Sequence, residues 1–283
     1  MGKNLSVVSE DLFMKISVVI PMYNSRDTII KSLDSIKYQT ALDKIFEIIV
    51  VNDGSTDDSL EIVKKYKELN PSLTIIIIDR HNGGVSVARN EGMKIAKGDW
   101  IALLDSDDEW LPNKIEYQCD IINNNTEIDF LGGGFDYADL RILFRKIKGL
   151  YKANINDLCV KFFPSQSTAI FKKRIFEEIG GFDENQRYAE EGSYFMKICL
   201  NYNYFFVPEV FAFSTTSKPC FGYSGLSGNL RKMYEGNLKN IKELRDKKII
   251  GANFYVFLRY FYWLKYLRRI IITKTTHVSK IGK

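Results

Sequence analysis

Histidine and cysteine are scarce in this chain of 283 residues, with two of the former and four of the latter. Cys119, Cys159, Cys199 and Cys220 form no C-x-x-C pair. So thin a supply of soft ligands argues against a zinc cage or a disulfide framework. A reducing, cytoplasmic setting is the expectation. The N-terminus lacks a basic start followed by an apolar run, so no signal peptide is expected. Neither a G-x-G-x-x-G nor a Walker A sequence occurs, which leaves dinucleotide binding and simple triphosphate chemistry without support. Internal repeats and low-complexity stretches are also missing, which removes solenoids and linkers from consideration.

What is present suits one large domain with a substantial tail. Hydrophobic residues reach 45%, enough for a sizeable core. The net charge of +5 is unevenly spread. From Asn229 to Lys283 there are fourteen Lys and Arg against three Asp and Glu, a surplus of eleven, so the preceding residues carry −6. An acidic body with a basic tail points to a tail that meets anions, either nucleic acid or an anionic membrane surface.

Short apolar runs at Ile16–Ile20, Glu47–Val51, Leu73–Ile78 and Trp100–Leu104 read as strands buried on both faces. Between them, Ile29, Ile30, Leu33 and Ile36 recur at helical spacing, as do Leu60, Val63, Tyr66 and Leu69, and then Val85, Ala88, Gly92 and Ile95. This alternation predicts an α/β domain with a parallel sheet. Further on, a helix is expected over Pro112–Asn123, strands at Asp129–Gly133 and Thr168–Phe171, and a helix over Ala189–Leu200. Two strands are expected at Tyr204–Val207 and Phe211–Ser214, with helix from Leu226 onward. The basic stretch Leu140–Gly149 fits neither period.

Polar clusters follow the early strands: Pro21-Met22-Tyr23-Asn24, Asn52-Asp53-Gly54-Ser55-Thr56-Asp57, and Asp105-Ser106-Asp107-Asp108. In open α/β sheets the ligand crevice lies beyond the carboxyl ends of the strands, so these clusters should converge. Asp105 and Asp107, one residue apart at a strand end, suit one hard cation bound alongside phosphates. They also suit a turn or helix cap. Asp108 and Glu109 read as first-turn residues of the helix near Pro112. Asp53 reads either as a turn residue or as the acceptor for a ring N–H of a base. His81-Asn82-Gly83-Gly84 precedes the helix holding Ala88-Arg89-Asn90. Glycines there allow close backbone approach, and helix N-termini attract anions. Arg89 faces a nucleotide or pairs with an acidic neighbour.

Taken in order, the clusters at 20–24, 51–57, 88–92 and 104–108 resemble the family-two glycosyltransferases. The resemblance spans residues 15–215 and is strongest up to Lys114. It implies the GT-A fold, a Rossmann-like, mainly parallel sheet flanked by helices, over residues 15–222. A leader at 1–14 and a basic helical C-terminal extension at 223–283 complete the expected organisation. The activity implied is inverting transfer from a nucleotide-diphospho-sugar, most often a UDP-sugar, to a glycan or lipid-linked acceptor in surface polysaccharide synthesis. Pro21, Tyr23 and Asp53 are implied around the base, Asn82 and Arg89 as nucleotide contacts, and Asp105 with Ser106 near ribose and diphosphate. Asp107 is implied to hold Mn2+ or Mg2+. The family's Glu-Asp pair, which supplies the base, corresponds to Glu190-Glu191. Glu191 is then the base, one methylene longer than usual, and Glu190 an acceptor contact. Without the resemblance the pair reads as ordinary acidic residues at a helix N-terminus. The Q-x-x-R-W motif of processive synthases is absent, so single addition is expected. Two other readings stand beside it: transfer onto polyprenyl phosphate, and a non-catalytic protein that binds nucleotide sugars and docks on membranes.

In the tail, Val256, Tyr260, Trp263, Leu264, Leu267, Ile270 and Ile271 share one helical face, with Arg259, Lys265, Arg268 and Arg269 elsewhere. The charges interrupt any uniform span, so a crossing helix is not expected. A peripheral helix on the inner face of a membrane is, or else a helix packed on the catalytic domain or a second subunit. Nucleic acid is not an expected partner.

Overall fold

The computed structural model describes residues 14–136, 139–216 and 225–281, apart from the side chains of 276–281. Of the expected leader only Met14 lies within it. Cys220 and the boundary at 222 lie outside the described residues.

Strand and helix alternate through β1 (Ile16–Met22), α1 (Ile29–Lys37), β2 (Ile45–Asp53), α2 (Ser59–Leu69), β3 (Ile75–Arg80), α3 (Val85–Ile95) and β4 (Trp100–Leu103). Then come β5 (Asp108–Trp110), α4 (Lys114–Asn124), β6 (Phe130–Phe135), a hairpin of β7 (Arg141–Ile142) and β8 (Arg145–Lys146), β9 (Tyr151–Lys152) and α5 (Ile155–Val160). β10 (Ile170–Lys172), α6 (Lys173–Ile179), α7 (Glu190–Asn201), β11 (Tyr204–Ser214), α8 (Leu230–Asp246) and α9 (Ala252–Ile281) follow.

The main sheet runs β3-β2-β1-β4-β10-β6-β11-β5, with β9 also on β11. β1 to β4, β6 and β11 share one direction, and β5, β9 and β10 oppose it. The expected mainly parallel sheet is therefore what forms. Alternation along each strand sends side chains to two cores. Ile16, Val18 and Ile20 of β1 join Ile48 and Val50 of β2 against α1, α2 and α4. Val19, Ile49 and Val51 point the other way, toward α3, α7 and the C-terminal helices. In α1 the buried set is Ile29, Ser32, Leu33 and Ile36, and each fully buried branched aliphatic contributes about 1.5–3 kcal/mol. α3 sits close enough to the sheet that a Cβ on Gly92 would lie 2.5 Å from Val19 Cγ1.

Several elements differ from expectation, each for a local reason. β3 runs to Arg80 because its parallel register with β2 continues to Asp53. The two strands expected near the end are one, β11, whose register against β6 slips between Phe206 and Val210. Pro208 has no N–H to keep the ladder there. Asp108 and Glu109 do not open a helix. They lie in β5, paired with Ser214 and Phe213. The basic stretch after Leu140 holds the β7–β8 hairpin.

α9 turns an unexpected side inward. Leu258 and Tyr262 are buried in the core. Tyr262 donates its hydroxyl to the Cys159 carbonyl at 2.7 Å, and Tyr266 stacks on Tyr234 at 4.9 Å. The apolar stripe Val256, Tyr260, Trp263, Leu264, Leu267 and Ile271 faces outward, exposed. No helix among the described residues is long and apolar enough to cross a membrane. Cys119, Cys159 and Cys199 are free thiols.

Candidate active site

Because β1, β2, β3 and β4 are parallel neighbours, the loops at their carboxyl ends meet at one edge of the sheet. They are also laced together. Asn24, held at φ 49°, accepts from Thr56 N at 2.8 Å and donates its own amide to Ser55 Oγ at 3.0 Å. Ser25 and Ser106 share a hydroxyl hydrogen bond of 2.7 Å, which ties the loop after β1 to the loop after β4. Ser106 is thereby buried. Pro21 lies buried in β1, while Tyr23 stands exposed at its end.

Asp53 is buried and fully engaged. Its carboxylate accepts from Gly83 N at 2.9 Å, Gly84 N at 2.8 Å and the Arg80 guanidinium. Asn82 donates its side-chain amide to the Asp53 carbonyl at 2.9 Å. The residue read from the sequence as a turn or base contact thus shapes the whole 81–84 loop. Gly54 makes this approach possible. It has φ +69°, and a Cβ there would sit 2.7 Å from Asn82 N.

Arg89 is 3% exposed. Its guanidinium donates to Asp105 Oδ1 at 2.7 Å and to Glu190 Oε1 at 3.4 Å, and it lies over the Phe182 ring. Pairing with acidic neighbours, one of the two roles the sequence left open, is thus present. Burial would discharge Arg89, but Asp105 and Glu190 hold its pKa above the ordinary value. The adjoining Asn90 clasps the backbone of Phe182, donating to its carbonyl at 2.9 Å and accepting from its N–H at 2.8 Å. Asn90 and Arg89 together anchor the segment that leads into α7, a role the sequence did not suggest. Glu190 opens α7 after Ala189, which is held at φ 55°. Gln186 and Asn240 of α8 both donate to the Ala189 carbonyl, at 3.2 and 2.9 Å. Burial, then the neighbouring Glu191, raise the Glu190 carboxyl well above the usual range, against the pull of Arg89. Glu191 is half-buried.

Beside these loops lies a cleft of about 540 Å³, lined by Asp105, Asp107 and Asp108 on one side and by Lys161, Phe162 and Gln166 among others. Glu190 and Glu191 are not among its lining residues and connect to it through Arg89 and Asp105. Asp108 is buried, donated to by Ser167 Oγ. Burial, then Asp105, raise its carboxyl to about 8. Ser167 also accepts from Asp105 N at 3.1 Å, and its carbonyl accepts from Trp110 Nε1 at 2.6 Å. The 3-10 turn Gln166–Thr168 therefore holds the acidic loop from beneath. Nothing in the local sequence marks Ser167, because its partners lie some sixty residues away. Among the described residues no three His, Cys, Asp or Glu side chains form a metal cage. Asp105 and Asp107 offer the hard oxygen donors that magnesium or manganese takes when phosphates and water complete the shell.

The family model described as "Glycosyl transferase family 2" matches residues 17–180. A poly(ribitol-phosphate) beta-glucosyltransferase of Bacillus spizizenii is 47% identical over 95 residues, which is 34% of this chain and 15% of that protein. A UDP-Glc:alpha-D-GlcNAc-diphosphoundecaprenol beta-1,3-glucosyltransferase of Escherichia coli is 44% identical over 103 residues, 36% of this chain and 39% of that one. The chain thus spans well under two thirds of these relatives. Among solved structures, S. aureus TarS 1-349 in complex with UDP-GlcNAc superposes with a TM-score of 0.67 at 23% identity, over 82% of this chain and 66% of that one. A mannosyltransferase of Pyrobaculum calidifontis in complex with GDP-Man and Mn2+ gives 0.64 at 18% identity, over 88% and 70%.

Proposed function

The chain belongs to glycosyl transferase family 2 and has the GT-A architecture. From that premise we propose that it transfers a sugar with inversion from a UDP-sugar to a hydroxyl of a glycan or lipid-linked acceptor in surface polysaccharide synthesis. One observation carries the reading: Arg89 joins Asp105, in the acidic loop after β4, to Glu190 at the start of α7. The donor and acceptor named for the Escherichia coli relative, and the UDP-GlcNAc held by the TarS neighbour, support this choice of substrates. Both similar enzymes named above form β-linkages, in keeping with inversion of an α-linked donor.

The base stacks near Tyr23 and Pro21, beside the loop that Asp53 and Asn82 shape. Asp105, fixed by Arg89, meets the ribose and diphosphate, with Ser106 holding its loop to Ser25. Glu191 takes the proton from the acceptor hydroxyl as that oxygen attacks the anomeric carbon, opposite the departing diphosphate. Glu190 contacts the acceptor. Asp107, with Asp105 beside it, would hold Mn2+ or Mg2+. Such an ion supplies neutralisation of the negative charge on the leaving group.

Turnover of a donor panel tests this. UDP-sugars should release UDP in a manganese-dependent way, and GDP-sugars should not. In calorimetry Asp53→Asn should lose about 1–3 kcal/mol of UDP affinity, the value of a hydrogen bond to a charged group. No turnover and no UDP binding by folded protein would sink the reading. Unchanged affinity in the variant would return Asp53 to a purely structural role.

The outward stripe of α9 supports a peripheral site on an anionic membrane surface, since Arg259 and Arg268 alternate with its exposed Tyr260, Trp263 and Leu264. The chain should then sediment with phosphatidylglycerol vesicles, and Trp263→Glu with Leu264→Glu should leave it in the supernatant. A change of oligomeric state in that variant, with vesicle binding intact, would make the stripe a subunit contact instead.

A further inference from the structure

Lys161 is the one cation among the described residues lining the cleft. It follows α5, where the chain turns in toward Phe162 and Phe163. Its side chain is half-buried, and burial lowers its pKa with no carboxylate near enough to raise it. Behind it stands a second cation. Lys265 of α9 donates its ammonium to the Val160 carbonyl at 3.3 Å, one residue before Lys161. Burial, then Arg269 and Lys161, push the Lys265 pKa down to about 8. Elsewhere several interior cations are paired with carboxylates, Arg80 with Asp53, Arg89 with Asp105 and Glu190, and Lys172 with Asp129, while buried Lys114 is held by Gln118 and the Trp110 ring. Two partly buried ammonium groups that repel one another are costly unless an anion joins them.

The cleft is thus acidic along Asp105–Asp108 and at Asp136 and Asp139, and cationic at Lys161. Compact ammonium groups of this kind bind phosphate as point charges. The second cation is delivered by the helix whose other face is an exposed apolar stripe, so phosphate charge and hydrocarbon are served by one element. We propose that Lys161, backed by Lys265, is the subsite for the diphosphate of a prenyl-linked acceptor sugar. This rests on the glycosyltransferase reading and adds to it the group by which the acceptor is held.

The test titrates geranyl diphosphate into UDP-saturated protein without added metal, next to geraniol, inorganic pyrophosphate and ribitol 5-phosphate. Geranyl diphosphate should bind and geraniol should not. Lys161→Met should weaken geranyl diphosphate at least about tenfold, the scale of one lost charge contact, and Lys265→Met should weaken it less. UDP affinity, measured first, should stay unchanged in both variants. Wild-type affinity for geranyl diphosphate in Lys161→Met overturns the subsite. A loss confined to UDP makes Lys161 a donor contact and overturns it too. Equal binding of ribitol 5-phosphate or pyrophosphate overturns the prenyl assignment. Failure of UDP to bind wild-type protein would strike the underlying enzyme reading instead, so the two failures are separable.

Discussion

Glu191→Gln should lower transfer by roughly 10²–10⁴-fold, the usual worth of a positioned base, with UDP affinity unchanged. Glutamine keeps the length and shape of the side chain but cannot take a proton at neutral pH. The structure sharpens the contrast with the residue before it. Glu190 is buried, and burial with the charge of Glu191 keeps its carboxyl protonated well above the ordinary carboxylate range. Glu190 also accepts from Arg89, a hydrogen bond that the amide oxygen of glutamine can still accept. Glu190→Gln should therefore be the milder change, acting mainly on acceptor KM. Parallel steady-state kinetics on both variants decide it. If Glu190→Gln loses the rate while Glu191→Gln keeps it, the base is Glu190. Should both variants retain most of the activity, the nucleophile needs no base, as with a phosphate oxygen, and transfer onto polyprenyl phosphate becomes the better reading.

The second large effect concerns Asp107. Asp107→Ala should reduce transfer by about 10³-fold or more, since several kcal/mol of charge stabilisation on a leaving diphosphate depends on the group this carboxylate would hold. The residue is exposed on the cleft, so removal of its side chain leaves no cavity in the core. Its backbone position is secured separately, by the hydrogen bond from Thr215 N to its carbonyl at 3.0 Å. Loss of activity would then report on chemistry and not on folding, which a thermal melt can verify. Manganese should raise UDP affinity in wild-type protein and have little influence in the variant. Near-normal manganese-dependent turnover by Asp107→Ala would refute the assignment.

Both variants test residues that the sequence singled out, and the reasons such residues were legible are local. Ile16–Ile20 and Trp100–Leu104 read as buried strands because an apolar run flanked by turn residues has few other uses. The acidic and Asn-Asp-Gly-Ser clusters stood out because polar residues directly after a buried parallel strand face the crevice. The roles of Asp53 and Arg89 were less legible. Asp53 finds its partners at Arg80, Gly83 and Gly84, on the next strand end. Arg89 pairs across 101 residues with Glu190. Neither pairing leaves a periodic trace.

What the sequence by itself determined, then, is the class of fold, the order of its strands and helices through the first half, and which polar clusters end those strands. Only the tertiary structure decided which of those groups are held by one another. It brought Ser167 under Asp105 and Asp108, made Arg89 a bridge, and set Lys161 before Lys265. It also decided which side of α9 meets the core. Helical spacing marks an apolar face but not its neighbour. Here the aromatic and mixed face carrying Leu258, Tyr262 and Lys265 met the α5 carbonyls with hydrogen-bonding tips, and the more uniformly apolar face was left outside. Hydrogen bonds and ion pairs depend on distance in space, and the fold fixes that distance between residues the sequence keeps far apart.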